Sequence, residues 1–362
     1  MQDQFIVIMA GGKGERFWPE SRLERPKHLL PIVGSSPMLR QTLDRIGDLV
    51  PREHILIITN VSQQSAIREM CPDLPPDNVV AEPVGRDTAP AVGLAMALVR
   101  HRNPKAVFAL LPADHVIHDA EKFQACLRSG FEVARSQKVL VTIGITPTHA
   151  ATGYGYIHRG TERPGQEGKG IYDVKRFVEK PSIERAREYV HSGEYFWNAG
   201  MFVWSVESIT EAFQLHHPAL LEGVNSISQG LRGGRELSEL LGATYPTLEK
   251  ISIDFAVMEK AKNVVTIQST FDWDDVGEWP AIERHGAKDG EGNLLSGLGV
   301  VQQASNNIVY NDGKRITALL GVDDLIVVHT EDATLVCHRS KAQEIKGIVK
   351  ALGECDSTRG FL

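Results

Sequence analysis

Cysteine is scarce in this chain: four residues, at positions 71, 126, 337 and 355, with no C-x-x-C pair among them. That spacing argues against a zinc ribbon or a disulfide framework and suits a reducing compartment. Long apolar runs are also lacking. A long stretch without a charge, residues 293–311, is full of Gln, Asn and Ser, and no segment reads as a bilayer span. The opening run FIVIMA (5–10) meets glycines with no basic segment before it, which reads as a strand and not as a secretion signal. Positive charge is not in excess either. Acidic residues outnumber basic ones 46 to 39, for a net charge of −7, pointing away from nucleic acid and from membranes as partners. The expected location is cytoplasmic.

What is present is an ordinary globular composition, 42% hydrophobic and 23% charged over 362 residues, with length for two domains or one large domain and an appendage. The runs FIVIMA (5–10), HILIITN (54–60), AVFALLPADH (106–115) and KVLVTIGI (138–145) read as buried strands, with a helix over 89–101. Strand and helix alternating at this spacing predict an α/β fold, a doubly wound, mixed but mainly parallel sheet. Ligands in such sheets sit beyond the carboxyl ends of the strands. The middle of the chain is less regular: FWNAGMFVWS (196–205) is aromatic and β-like, and a helical stretch runs over 206–241. Past residue 290 the texture turns to short β-like pieces, then an amphipathic helix over 340–353. Gly, Asp and Lys replace apolar residues at 286–292. A boundary there gives domains of 1–288 and 289–362.

The loop after the first strand is glycine-rich and locally basic. Gly11, Gly12 and Gly14 precede Glu15 and Arg16, and Lys27 follows. It lacks the third glycine of G-x-G-x-x-G and has no Gly-Lys-Ser/Thr, so neither common nucleotide fingerprint applies. Backbone N–H groups of a strand-to-helix turn with two nearby cations suit a phosphate; a tight turn with two solvated cations is the plain alternative. Asp114, ending its strand, is either a metal ligand or a cap of the next turn. His115 and His118 flank it, but Mg²⁺ has little use for imidazole. The aromatics around Asn198 read as core.

GGKGERFWPESR with Arg25-Pro26-Lys27 resembles the signature of the sugar-1-phosphate nucleotidyltransferases, in the mannose-1-phosphate guanylyltransferase branch. Collinear matches follow at EPVGRDTAPA (82–91), LPADH (111–115), GYGYI (153–157), FVEKP (177–181), WNAGMF (197–202) and WDDVGEW (273–279). The resemblance implies a Rossmann-like nucleotide-diphospho-sugar transferase fold with a small C-terminal left-handed β-helix-like domain. It implies transfer from GTP to α-D-mannose 1-phosphate, giving GDP-mannose and diphosphate, with Mg²⁺ as cofactor and a homodimer as the assembly. The nucleotide would meet Gly11, Gly12, Gly14, Glu15, Arg16, Lys27, Glu82, Gly85, Arg86, Asp87, Thr88, Ala89 and Asp114. Glu82, or carbonyls of 82–88, would accept from the guanine edge; Asp87 stands where the family pattern has Asn. The sugar phosphate would meet Gly155, Glu179, Lys180 and Asn198. Asp114 and Asp275 would hold the metal, with Asp274 pointing elsewhere, and Arg16, Lys27, Asp114 and Asp275 would form the catalytic set. Two other readings remain open: the same transfer with a different NTP or sugar phosphate, and a non-catalytic sugar-nucleotide-binding regulator.

Overall fold

Among the described residues nine short strands, most of them apolar, assemble into one sheet. They are β1 (Gln4–Ala10), β2 (Ile55–Asn60), β3 (Val79–Glu82), β4 (Val107–Pro112), β5 (Leu140–Ile145), β6 (Gly155–Glu162), β7 (Ile171–Val178), β8 (Tyr195–Ser205) and β9 (Val264–Gln268). This computed structural model describes residues 3–165, 168–311 and 313–362. The strand order is β3-β2-β1-β4-β8-β5-β9-β7-β6. β3, β2, β1 and β4 run parallel, as do β5 and β9, whereas β8 is antiparallel to β4, β5 and β6. The sheet is therefore mixed. In β2 and β5 nearly every residue is buried, as expected of strands covered on both faces, which need continuous rather than alternating apolar sequence.

The helix read at 89–101 spans Thr88–Arg102, and Ala89 through Val99 are all buried; a helix apolar all round belongs inside a protein. The helical stretch 206–241 is three helices, Val206–His216, Pro218–Arg232 and Leu237–Thr244. Pro218 starts the second at a position where its missing N–H costs nothing, and Gly233 and Gly234 end it. No helix among the described residues is long and apolar enough to cross a membrane.

The chain divides into two compact units, both discontinuous. One comprises Met1–Gly11, Leu43–Ala113 and Ile117–Trp273; the other comprises Gly12–Thr42, Asp114–Val116 and Asp274–Leu362. The first contains the nine-stranded sheet, with a core that includes Phe5, Leu56, Leu110, Trp204 and the buried side of Thr88–Arg102. The second is built on β10 (Leu294–Ser296), β11 (Gly299–Gln302), β12 (Ile308–Asn311), β13 (Thr317–Leu320), β14 (Leu325–His329) and β15 (Thr334–His338). β10, β12 and β14 stack in parallel, β11 pairs with β13 in a second parallel sheet, and β15 returns antiparallel on β14. From β10 to β14 successive strands alternate between the two sheets, which is the winding of a β-helix-like coil.

Asparagines hold its turns. Asn293 Oδ1 accepts from Asn307 N and Nδ2, each at 2.9 Å, and Asn307 Oδ1 accepts from Leu325 N at 2.9 Å. Both are fully buried, so the ladder satisfies backbone groups that a tight coil would otherwise strand. The core of this unit joins Phe17, Trp279, Ile308, Ile326 and Ile345; Phe17 and Trp279 meet edge to face at 5.0 Å.

Candidate active site

In the second unit the signature loop closes on itself through a glycine. Gly14 has φ +63°, and a Cβ there would lie 2.7 Å from Lys27 Cβ and 2.8 Å from Lys27 N. Only glycine both adopts that backbone and lets the G-K-G and R-P-K segments touch. Lys27 is 5% exposed. Its ammonium donates to Asp114 O at 2.9 Å, to Asp114 Oδ2 at 2.9 Å and to Asp275 O at 2.5 Å. A lysine has three donors, and all three are engaged.

Asp114 and Asp275 are brought together by a two-residue antiparallel bridge. Val116 N donates to Asp274 O at 2.8 Å and Asp274 N donates to Val116 O at 3.0 Å. Burial alone would raise the Asp114 pKa, but the Lys27 charge, with His115, the Lys27 hydrogen bond and His28 adding to it, holds the carboxyl at about 2. Its side chain is still 38% exposed, so it stays an anion facing outward.

The WDDVGEW turn sorts its two aspartates. Asp274 is buried and accepts from Arg284 Nε at 2.5 Å and Nη2 at 2.6 Å. It also lies 2.8 Å from His285 Nε2 and accepts from Val276 N at 2.8 Å. Burial works against its charge, yet these bonds hold its pKa well below the usual carboxylate range. Asp275 instead lines a cavity of about 460 Å³, together with Gly14, Glu15, Arg16, Lys27 and Asp114. Between Asp275 and Gly277, Val276 sits at φ +44°, a left-handed conformation that β-branched residues resist and that persists only where the surroundings enforce it. Arg16 Nη1 donates to Gly277 O at 2.9 Å, which fixes the guanidinium beside the turn. His115, Lys13 and Lys346 complete the wall.

Two further groups of expected residues lie in the first unit. At one, β6 and β8 set Gly155 opposite Asn198. A Cβ on Gly155 would come within 2.5 Å of Glu179 Oε2 and 3.3 Å of Asn198 Cβ. Asn198 Nδ2 donates to Asp254 Oδ1 at 2.7 Å, and Asn198 Oδ1 accepts from Gly200 N at 3.2 Å, so its amide is held at both ends. Burial, with the Glu179 charge adding to it, pushes Asp254 up to about 6. Lys180, at φ +43°, extends outward with its Nζ 3.2 Å from Glu179 Oε1. Asp254 opens a single turn of π-helix, Asp254–Met258, a feature common at functional sites. It escaped sequence reading, where the only trace is one acid inside the apolar run ISIDFAVM.

The other group follows β3. Glu82 is buried, accepts a short hydrogen bond from the Tyr245 hydroxyl, and its Oε2 lies 3.4 Å from where a Gly11 Cβ would sit. Burial raises it to about 7 even though the Tyr245 bond works the other way. Gly85 has open space around it. Arg86 donates to Pro246 O. Asp87, at φ +67°, caps the next helix by accepting from Thr88 N at 2.7 Å. Thr88 Oγ1 accepts from Ile253 N at 2.8 Å, and Ala89 N donates to Ile251 O at 3.0 Å, which ties the start of that helix to the segment carrying Asp254. Gly12, Gly14, Glu15, Arg16, Lys27, Asp114 and Asp275 thus share the second unit, whereas Gly11, Glu82, Gly85 to Ala89, Gly155, Glu179, Lys180 and Asn198 belong to the first. His118 pairs with Asp272 at 2.6 Å.

A nucleotidyl transferase family model matches residues 6–291, and a mannose-phosphate isomerase/GMP-like β-helix domain model matches 299–352. An Escherichia coli mannose-1-phosphate guanylyltransferase is 36% identical over 97% of this chain and 74% of its own length. The Salmonella typhimurium mannose-1-phosphate guanylyltransferase RfbM is 37% identical over 97% and 72%. Among solved structures, a Thermus thermophilus protein described as a mannose-1-phosphate geranyltransferase superposes with a TM-score of 0.85 at 36% identity, covering 97% of this chain and 99% of that one. The chain belongs to the nucleotidyl transferase family, in its mannose-1-phosphate guanylyltransferase branch.

Proposed function

We propose that this protein converts GTP and α-D-mannose 1-phosphate to GDP-mannose and diphosphate, by in-line attack of a sugar-phosphate oxygen on the α-phosphorus of GTP. The observation that carries the reading is the buried Lys27 ammonium, bonded at once to Asp114 and to the backbone of Asp275. Two anions have to approach each other, so the protein's task is positioning and charge neutralisation, with no protein nucleophile. Lys27 fixes the two aspartates in one wall and keeps Asp114 ionised. Arg16, anchored at Gly277, brings a planar donor fork to the charge that develops on the α-phosphate and the leaving group. The N–H groups of the Gly12–Gly14 turn face phosphate oxygens. Gly155 admits a sugar hydroxyl close to the backbone, while Glu179 and Asn198 take its hydroxyls and Lys180 its phosphate.

A divalent cation fits the donor set: Asp114 and Asp275 are hard oxygen ligands on one cavity wall, and Asp114 is held deprotonated. Among the described residues no group of three or more Asp, Glu, His or Cys is placed to hold a metal, so further positions would go to phosphate oxygens and water, the pattern of Mg²⁺. When bound, Mg²⁺ supplies charge neutralisation at the phosphates.

None of the four cysteines forms a disulfide, which supports a cytoplasmic setting. Leu298, Val300, Ile316 and Leu320 form an exposed apolar row on the β-helix-like coil, which supports a second copy of the chain as partner. Release of diphosphate, followed across GTP, ATP, UTP and dTTP against several hexose 1-phosphates with and without Mg²⁺, tests the reaction. Turnover confined to GTP and mannose 1-phosphate is expected; a better substrate pair would replace it. A monomer on light scattering would remove the dimer.

A further inference from the structure

The cavity around Lys27 contains one cation that the signature motifs do not supply. Lys346 lies in the first turn of the closing helix Ile345–Glu354 and lines the same wall as Arg16, Lys27, Asp114 and Asp275. The cations there are not equivalent. Lys27 has all three donors engaged by Asp114 and Asp275, Arg16 gives a bond to Gly277 O, and Lys13 stands 3.7 Å from Glu15. Lys346 is exposed and, among the described residues, makes no hydrogen bond or ion pair. Charge balance points the same way. Three carboxylates line the cavity, Glu15, Asp114 and Asp275, against Lys13, Arg16 and Lys27. Without Lys346 the wall is formally even; with it the balance becomes positive, as a site receiving a highly charged polyphosphate requires.

We infer that Lys346 is a phosphate-binding residue of this site, which takes the terminal phosphates of the nucleoside triphosphate and the inorganic diphosphate that leaves. This rests on the proposed transfer reaction for its substrate. It assigns the C-terminal helix a direct part in holding the leaving group, in addition to its packing through Ile345. The ammonium sits on a long flexible stem at the first turn of a helix whose dipole also favours an anion, and it has all three donors to offer.

The test runs the reaction backwards, from GDP-mannose and diphosphate, with wild type, Lys346→Met, Lys346→Arg and, as a control outside this cavity, Lys350→Met. Binding of inorganic diphosphate is measured by calorimetry on the same proteins. Loss of one charge-assisted contact predicts a rise of about ten-fold or more in KM for diphosphate and in its Kd for Lys346→Met. KM for GDP-mannose should stay within about two-fold, Lys346→Arg should restore much of the loss, and Lys350→Met should resemble wild type. An unchanged diphosphate KM and Kd in Lys346→Met overturns the assignment, as does an equal loss toward GDP-mannose. Absence of turnover by wild type would instead remove the transfer reaction, and diphosphate binding would still decide the role of Lys346.

Discussion

Asp114 and Glu82 both stand at the carboxyl ends of parallel strands, β4 and β3, Asp114 partly exposed and Glu82 buried. At neutral pH Asp114 is fully ionised, whereas Glu82 retains a large share of its proton. Asp114, in the unit that holds the Lys27 cavity, has the Lys27 ammonium 2.9 Å away and is held at about 2. Glu82, in the sheet unit, has a tyrosine hydroxyl for company and rises to about 7. Desolvation works against the charge of both carboxyls, and their neighbours differ in charge. A cation within hydrogen-bond reach offsets desolvation; a neutral donor does not. The same contrast separates the two larger clusters. Around Lys27 the Asp114 carboxyl is held as an anion by the lysine, while around Asn198 burial and the Glu179 charge push Asp254 up to about 6. One cluster mixes an ionised carboxylate with lysine and arginine around a single cavity. The other sets the raised Asp254 carboxyl against the amide of Asn198.

The most severe way to break this contrast is to remove its cation. Lys27→Met leaves Asp114 facing burial without compensation and unties it from Asp275. We expect turnover to fall by at least about a thousand-fold and the thermal midpoint to fall with it. Diphosphate release and a melting curve measure the two, and near-normal turnover would show that the contacts of Lys27 serve the fold alone.

The paired aspartates of WDDVGEW sharpen the point, because side-by-side residues should fail in different ways. Asp275→Asn should abolish metal-dependent turnover while the melting temperature stays near wild type. Asp274→Asn removes the charge of a buried carboxylate that pairs with the half-exposed Arg284 and is hydrogen-bonded to His285, a loss of about 1–3 kcal/mol with the guanidinium partly screened by solvent, so the thermal midpoint should drop first and turnover should follow only through unfolding. If Asp274→Asn is stable but dead, and Asp275→Asn is active, the roles are reversed.

These two positions also mark the reach of sequence. The alternation of FIVIMA, HILIITN and AVFALLPA announces a parallel sheet, because strands buried on both faces must be apolar throughout, and the order of the motifs identifies the family. Gly14, Lys27 and Asp275 were visible as motif members. What could not be read was their meeting, which depends on a two-residue bridge between Val116 and Asp274, 158 positions apart, with no pattern of its own in the chain. Asp254 and Lys346 escaped for a related reason. Neither sits in a glycine-rich or post-strand signature, and each acquires its surroundings only through packing. The β-helix-like coil shows the reverse case. Its short apolar pieces were evident, but the buried ladder from Asn293 to Asn307 becomes intelligible only once strands alternate between two sheets.

On the sheet side, Asp254→Asn should raise KM for mannose 1-phosphate by about ten-fold while KM for GTP stays within about two-fold, since the amide of Asn198 loses its charged acceptor. The pH profile carries the sharper evidence. If Asp254 titrates near 6 in the free enzyme, kcat/KM for the sugar phosphate in wild type should change across pH 5–7, and Asp254→Asn should flatten that limb. A limb that survives in the variant would assign it to another group.

The smallest effect concerns Glu82, and it is read in stability. Its folded pKa, about 7, lies above the ordinary value of 4.5, so between those limits the native state binds more protons than the unfolded chain. Stability therefore falls as pH rises from about 4.5 to about 7 and levels off above, a total on the order of 3 kcal/mol from this group. Asp114 has the opposite sign: its folded pKa is depressed, so its contribution is full above about 4 and is lost as pH falls toward 2. Glu82→Gln keeps an oxygen to accept from Tyr245 but removes the titration. The variant should match wild type near pH 5 and exceed it above pH 7, with urea midpoints taken at half-unit intervals as the measurement. Parallel curves for the two proteins across that range would mean that Glu82 is ionised in the native sheet after all, and that burial beside a tyrosine does not suffice to separate it from Asp114.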